Sequence, residues 1–116
     1  MPKTSKNYLP KQIKLGHFVI DIQLIDGTVS LNIAEQQGSF IARDQVIYLD
    51  KEIMTGQPDR AINLIIHELM HAIYYQYNLS EKSCEEDVVN AMSNGMTELL
   101  TRTDLLQFIK HKLKEV

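Results

Sequence analysis

Residues 58–77 read PDRAINLIIHELMHAIYYQY, and this stretch decides how the rest of the chain is arranged. Pro58 suits the first turn of a helix, Asp59 complements the positive end of the helix dipole, and neither Gly nor Pro follows within the stretch. Its apolar side chains spread around most of the helix circumference. The pattern predicts one long helix, from about Pro58 to Tyr77, that is buried on several sides.

The helix carries the spacing H-E-x-x-H at His67, Glu68 and His71. Residues four apart share one helix face, so both imidazoles can reach one cation while Glu68 stands beside it as a base. The alternative is two core histidines satisfied by hydrogen bonds, with Glu68 in solvent. Burying two imidazoles and a carboxylate together without a metal is costly, which favours a zinc site.

Length and composition narrow the class of protein. The chain has 116 residues, which predicts a single domain over 1–116, with 44% hydrophobic and 23% charged residues. A net charge of -3 leaves no basic stripe for phosphates and argues against nucleic acid as a partner. The sequence offers neither an apolar run of membrane-spanning length nor a signal-peptide core, so we expect no membrane partner. The lone cysteine, Cys84, fits a reducing compartment, and we expect a cytoplasmic protein.

Alternating apolar residues upstream of the helix predict strands. The first strand has one apolar side, formed by Phe18, Ile20, Ile22 and Leu24. Asp26-Gly27 is a hairpin signal, and the alternation resumes from Val29 to Ile33 as a return strand.

Two more extended segments are predicted, from Ser39 to Arg43 and from Gln45 to Leu49. For Leu9 to Leu15, a short amphipathic helix and an irregular lead-in are both compatible with the pattern. Apolar residues at helical spacing predict further helices from about Ser83 to Thr101 and from about Thr103 to Lys114. Strands followed by helices indicate an α+β domain.

A catalytic zinc needs a third protein ligand, and the candidates are Glu85, Glu86 and Asp87. A short turn makes their helix a near-antiparallel neighbour of the first, which brings them back towards His71. Periodicity alone favours Glu85, which falls near the middle of the apolar face. Glu86 has a second interpretation, as the last residue of a capping box that starts at Ser83.

Two runs together resemble a known family. Residues 66–73, IHELMHAI, and residues 86–90, EDVVN, are similar to the small zincin-type metallopeptidases of phages, prophages and mobile elements, which are relatives of the ImmA/IrrE peptidases within the gluzincin group. The resemblance covers about Val46 to Leu100. It implies a small, twisted, mainly antiparallel sheet over the active-site helix, and it favours Glu86 as the third ligand. The chain lacks the Phe-Ala-Ala and Leu-Met-Pro continuation of ImmA-like proteins and a helix-turn-helix domain.

Motif and resemblance together predict a zinc-dependent peptidase. Zn²⁺ is expected on His67, His71 and Glu86, with water in the fourth position and Glu68 as general base. The expected substrate is a peptide or protein that pairs with an edge strand at Ser39 to Ala42. The alternative is a non-catalytic module of a phage or mobile element that binds a protein partner, against which the intact Glu68 counts. Oligomeric state stays open.

Several residues have secondary interpretations. Tyr74, Tyr75 and Tyr77 are candidates for the hydrogen-bond donor to the oxyanion. The alternative is that these tyrosines are half-buried core residues. Asn90 and Asn94 are candidates for orienting the zinc-bound imidazoles. Surface or packing roles are expected for His17 and His111.

Overall fold

The fold is α+β, as the sequence predicts: a mixed four-stranded sheet is followed by helices. The computed structural model describes residues 9–26 and 38–114, so the predicted return strand from Val29 to Ile33 lies outside the described residues. The elements are β1 (Gln12–Leu15), β2 (Phe18–Ile25), β3 (Gly38–Ile41), β4 (Val46–Asp50), α1 (Lys51–Met54), α2 (Pro58–Gln76), α3 (Glu85–Arg102) and α4 (Leu105–Leu113). Within these ranges, no helix has the length and apolar character needed to cross a membrane.

The sheet has the strand order β1-β2-β4-β3. β1 pairs with β2 and β3 with β4 in antiparallel fashion, whereas β2 and β4 are parallel. The sheet is therefore mainly antiparallel, as expected. Among the described strands, β3 forms one edge of the sheet.

The strand register places the large apolar side chains on one face. Ile13 lies opposite Ile20, and Ile22 lies opposite Ile47. These four side chains are buried in the core that the sheet shares with the helices. The predicted apolar side of β2 is confirmed, since Ile20 and Ile22 are the buried positions of that strand.

Two local elements differ from the predictions. Both predictions for the segment from Leu9 to Leu15 are wrong. It contains the strand Gln12–Leu15, which pairs with β2 and buries Ile13 and Leu15. The short helix α1 was not predicted. It begins where the carboxylate of Asp50 accepts a hydrogen bond of 2.9 Å from the backbone N–H of Glu52.

Helices α2 and α3 pack against each other through Ile73 and Gly95. A Cβ at position 95 would lie 2.7 Å from Ile73 Cδ1, so only glycine allows the helices to approach this closely. Gly95 lies on the buried side of α3, which also includes Ala91 and Leu99. This contact fixes how α3 is rotated about its axis.

We predict that Gly95→Ala destabilises the protein, because the added methyl group collides with Ile73. Overpacking of a core costs about 1–3 kcal/mol, and the better helix propensity of Ala offsets at most about 1 kcal/mol. The net loss is centred near 1 kcal/mol, so thermal unfolding followed by circular dichroism should show a melting temperature lower by roughly 4 °C. Ser93→Ala, at an exposed position of the same helix, is the control, and adding Ile73→Val to Gly95→Ala should restore part of the loss. A higher melting temperature for Gly95→Ala, as helix propensity alone would give, contradicts the contact.

Candidate metal centre

His67 and His71 stand side by side on α2, one turn apart. Their ring centroids are 4.9 Å apart at an interplanar angle of 78°. Both side chains are exposed, and both line the same cleft. Two imidazoles in this arrangement suit zinc, for which histidine nitrogen is a preferred ligand.

The cleft is a cavity of about 940 Å³ between α2 and β3. His67, Glu68 and His71 lie on the α2 wall. Ser39 and Phe40 of the edge strand lie on the other wall, and Ala42 follows them in the turn. The structure thus brings the H-E-x-x-H residues together with the segment from Ser39 to Ala42, where the sequence analysis expects a peptide to bind.

Glu68 is the one member of the motif that is buried, with 5% of its surface exposed. It packs beside Gly38, where a Cβ would lie 3.0 Å from the Glu68 Oε2 atom. A side chain at position 38 would therefore displace the carboxylate. Burial raises the pKa of Glu68, and the nearby positive charges of His71 and His67 oppose this effect.

The predicted third ligand, Glu86, is not brought to the histidines. In the described ranges, 9–26 and 38–114, no three His, Cys, Asp or Glu side chains are grouped so that they could hold one metal ion. At 3.6 residues per turn, Glu86 lies roughly 180° around α3 from Gly95, the residue that contacts α2. Glu86 is consequently exposed on the far side of α3, and the described residues supply two of the three expected ligands.

The other interpretations of this acidic segment also change. Glu85 is nearer to the helix contact, roughly 80° from Gly95, but it is exposed as well. The capping box is wrong, because α3 begins with Cys84 at its N-cap and has no side-chain cap. The hydroxyl of Ser83 instead accepts a hydrogen bond of 2.9 Å from the backbone N–H of Ser80.

One of the three candidate tyrosines lies in the cleft. Tyr75 lines it, and its ring centroid is 6.1 Å from that of Phe40 and 5.9 Å from that of Phe18. Tyr74 and Tyr77 are not among the residues that line the cleft, and all three tyrosines are exposed rather than part of the core.

The asparagines predicted to orient the imidazoles lie elsewhere. Asn90 and Asn94 line a second, smaller cavity of about 260 Å³ beside Tyr77, so that interpretation is wrong. Asn63 lines the cleft instead, four residues before His67 on the same helix face. The i, i+4 spacing from His67 could have indicated Asn63 in the sequence.

The remaining histidines and the cysteine are outside the cleft. His17 is exposed in the turn between β1 and β2, and His111 lies in the last turn of α4. Cys84 is a free, exposed cysteine. None of them lines the cavity with His67 and His71.

No family model, curated protein or solved structure matches the chain. The interpretation of the cleft therefore depends on its own geometry. Two adjacent nitrogen donors, a buried carboxylate and an edge strand can together bind a cation, transfer a proton and hold an extended chain.

We predict that Glu68→Gln stabilises the metal-free protein at pH 7. A raised pKa in the folded state means that stability falls as pH rises through the unfolded value and the folded value of this carboxyl group. Replacing the carboxylate by a neutral amide removes the cost of burying its charge and should raise the free energy of unfolding. Urea denaturation at pH 7 and at pH 4 measures this gain, which should be present at pH 7 and smaller at pH 4. Glu52→Gln, at an exposed position, is the control, and a loss of stability at pH 7 contradicts the prediction.

Proposed function

We propose that the protein is a zinc-dependent peptidase that hydrolyses a peptide bond in the cleft between α2 and β3. One observation carries the proposal: two imidazoles and a buried carboxylate share a cleft with an edge strand. A pair of histidines that can bind a metal ion is by itself compatible with many reactions. An edge strand opposite it adds a binding surface for an extended peptide, because strand addition uses the unpaired backbone groups of a sheet edge.

The outer side of β3 is the proposed substrate surface. Its inner side pairs with β4, and no described strand pairs with its outer side. Backbone N–H and C=O groups of Ser39 to Ile41 can then bind a substrate backbone without regard to its side chains. Side-chain contacts with the cleft supply the selectivity.

The catalytic roles follow from the surroundings of each side chain. His67 and His71 are proposed to hold Zn²⁺, which when bound activates water and polarises a carbonyl group. Glu68 accepts the proton of the attacking water and delivers it to the leaving amine. Burial that raises the pKa of Glu68 makes it a better proton acceptor, and Gly38 leaves space for its carboxylate.

Glu86 is the proposed third ligand, as the family resemblance implies. To reach the histidines it must move around the axis of α3. The first turn of α3 has no side-chain cap and carries three consecutive acidic residues, Glu85 to Asp87. Uncapped helix ends fray most easily, so a rearrangement confined to this turn is the least costly way to complete the site.

Zinc content and hydrolysis test the roles of these residues. We expect about one zinc per chain by elemental analysis, and loss of zinc in His67→Ala and His71→Ala because each removes a nitrogen ligand. Glu68→Gln should retain zinc and lose roughly 100-fold or more in hydrolysis, since general base catalysis contributes about 10²–10⁴. Native protein that binds no zinc on titration contradicts the proposal.

The third ligand has its own test with a neighbouring control. Glu86→Ala should weaken zinc binding by at least about tenfold, the low end for a lost ligand or its support. Glu85→Ala makes the same change of charge one residue away and should leave the affinity near that of the native chain. Isothermal titration with zinc measures both. Equal affinities would assign the third position to a residue other than Glu86.

A second candidate function is a peptide-binding module without catalysis. The edge strand and the aromatic pair of Phe40 and Tyr75 favour it, because both can bind an extended peptide in the absence of metal. Zinc-free protein that binds a peptide, together with zinc-treated protein that leaves the peptide intact, would support this alternative.

We also infer a cytoplasmic location. Cys84 is the one cysteine of the chain, and it is exposed. An exposed free thiol is compatible with a reducing compartment, where disulfides between chains do not persist. Formation of a disulfide-linked dimer on purification under air, and its loss with a reductant, would show that the thiol is accessible.

A further inference from the structure

The two ends of the cleft differ in chemical character. Towards the C-terminal end of α2, Tyr75 and Phe40 form an aromatic surface on opposite walls, with ring centroids 6.1 Å apart. Towards the N-terminal end of α2, Arg60 and Asp59 line the cleft and are exposed, and Arg60 is the one Lys or Arg among the described residues that line it. Such a difference can fix the direction in which a peptide binds.

Arg60 is available to a ligand as a cation. The neighbouring Asp59 uses its Oδ1 atom to accept a hydrogen bond of 2.9 Å from the backbone N–H of Arg60. In the part of the chain that the structure describes, Arg43 forms an ion pair with Asp44, and no carboxylate is paired with the Arg60 guanidinium. An anion placed at this end of the cleft would therefore meet an arginine that no carboxylate of residues 9–26 or 38–114 pairs with.

The direction of β3 relates these two ends to a bound strand. Gly38 lies beside Leu64 and Glu68, whereas Phe40 lies beside Tyr75, so β3 runs in the same sense as α2. Antiparallel pairing is slightly more stable per residue than parallel pairing, and it is already how β3 pairs with β4. A peptide added antiparallel to β3 runs from the aromatic end of the cleft to Arg60.

Element geometry gives the spacing of the contacts. At a rise of 1.5 Å per helical residue, Tyr75 lies about 6 Å beyond His71, and Arg60 lies about 10 Å before His67. An extended peptide advances about 3.3 Å per residue. The peptide bond faces the point midway between His67 and His71, which adds about 3 Å to each distance. The aromatic surface therefore falls about three residues from that bond, and Arg60 falls about four residues from it on the other side.

We propose that the substrate is an extended peptide bound antiparallel to β3, with a large apolar or aromatic side chain about three residues before the cleaved bond and an acidic side chain about four residues after it. Tyr75 and Phe40 contact the first side chain, and Arg60 contacts the second. The cleavage part of this statement rests on the proposed peptidase function. The direction and the preferences concern binding alone.

The test uses blocked, fluorescently labelled decapeptides of Ala and Ser, with Phe at the third position and Glu at the ninth. Binding to zinc-treated Glu68→Gln protein is measured by fluorescence anisotropy, since this variant prevents cleavage during the measurement. The forward peptide should bind about fivefold or more tightly than the peptide of reversed sequence, which has the same composition. Replacing Phe by Ala should weaken binding about tenfold. Replacing Glu by Lys should weaken it about fivefold, as for an exposed charge pair.

Variants of the cleft, made in the Glu68→Gln protein, assign each preference to a residue. Arg60→Glu should invert the preference, so that the Lys peptide binds more tightly than the Glu peptide. Arg102→Glu makes the same change of charge at the exposed end of α3 and should leave the preference unchanged. Tyr75→Ala should remove the advantage of Phe over Ala, and Tyr77→Ala, on the same helix but outside the cleft, should retain it.

The outcomes separate this inference from the proposed function. Tighter binding of the reversed peptide, an unchanged charge preference in Arg60→Glu, or no binding of any peptide overturns the inference. Zinc-treated native protein that binds the forward peptide with the expected preferences but does not cleave it overturns the peptidase function alone. Cleavage of the forward and reversed peptides at equal rates keeps the peptidase function and overturns the inferred direction.

Discussion

The burial of α2 determines which of its side chains reach the cleft. Ile65, Leu69 and Ile73 are fully buried, and Ala72 is nearly so. With these positions held between the sheet and α3, the helical period leaves His67 and His71 on the remaining open side, facing β3. A rotation of α2 that buried the imidazoles would expose the apolar core, so packing energy holds the two histidines at the surface of the cleft.

Glu68 occupies the boundary between these two environments. Its neighbours include Leu64 and Gly38, yet its carboxylate faces a cleft that also contains both imidazoles. Burial disfavours the charged form of this carboxyl group, and its pKa is raised for that reason. The same destabilisation is useful to a base, because it increases the affinity for a proton. The buried charge of Glu68 therefore lowers the stability of the fold and supports the proposed activity.

Local sequence signals predicted α2 well, since the observed helix ends within one residue of the prediction at Tyr77. They also predicted the apolar face of β2. They failed for β1, because a four-residue strand has too few positions to distinguish its alternation from helical spacing. The parallel pairing of β2 with β4 has no local signal, since it depends on how the chain crosses between distant segments.

The position of Glu86 could not be predicted for the same kind of reason. The rotation of α3 is set by the contact of Gly95 with Ile73, which lies 22 residues earlier in the chain. Periodicity gave the apolar side of α3 but not which part of that side contacts α2. Asn90 and Asn94 were misplaced by the same uncertainty, and they line the second cavity instead. His67 and His71 on α2, by contrast, line one cleft as expected, because their i, i+4 spacing alone puts them on one helix face.

Anomalous X-ray diffraction at the zinc edge, from crystals grown with zinc, is the most direct measurement of whether this cleft is a metal centre. The expected result is one strong peak within bonding distance of a ring nitrogen of His67 and a ring nitrogen of His71, on the side that faces β3. The density around that peak would also identify the third ligand. A peak at another place, or no peak at zinc concentrations well above the protein concentration, would contradict a metal centre built on these two histidines.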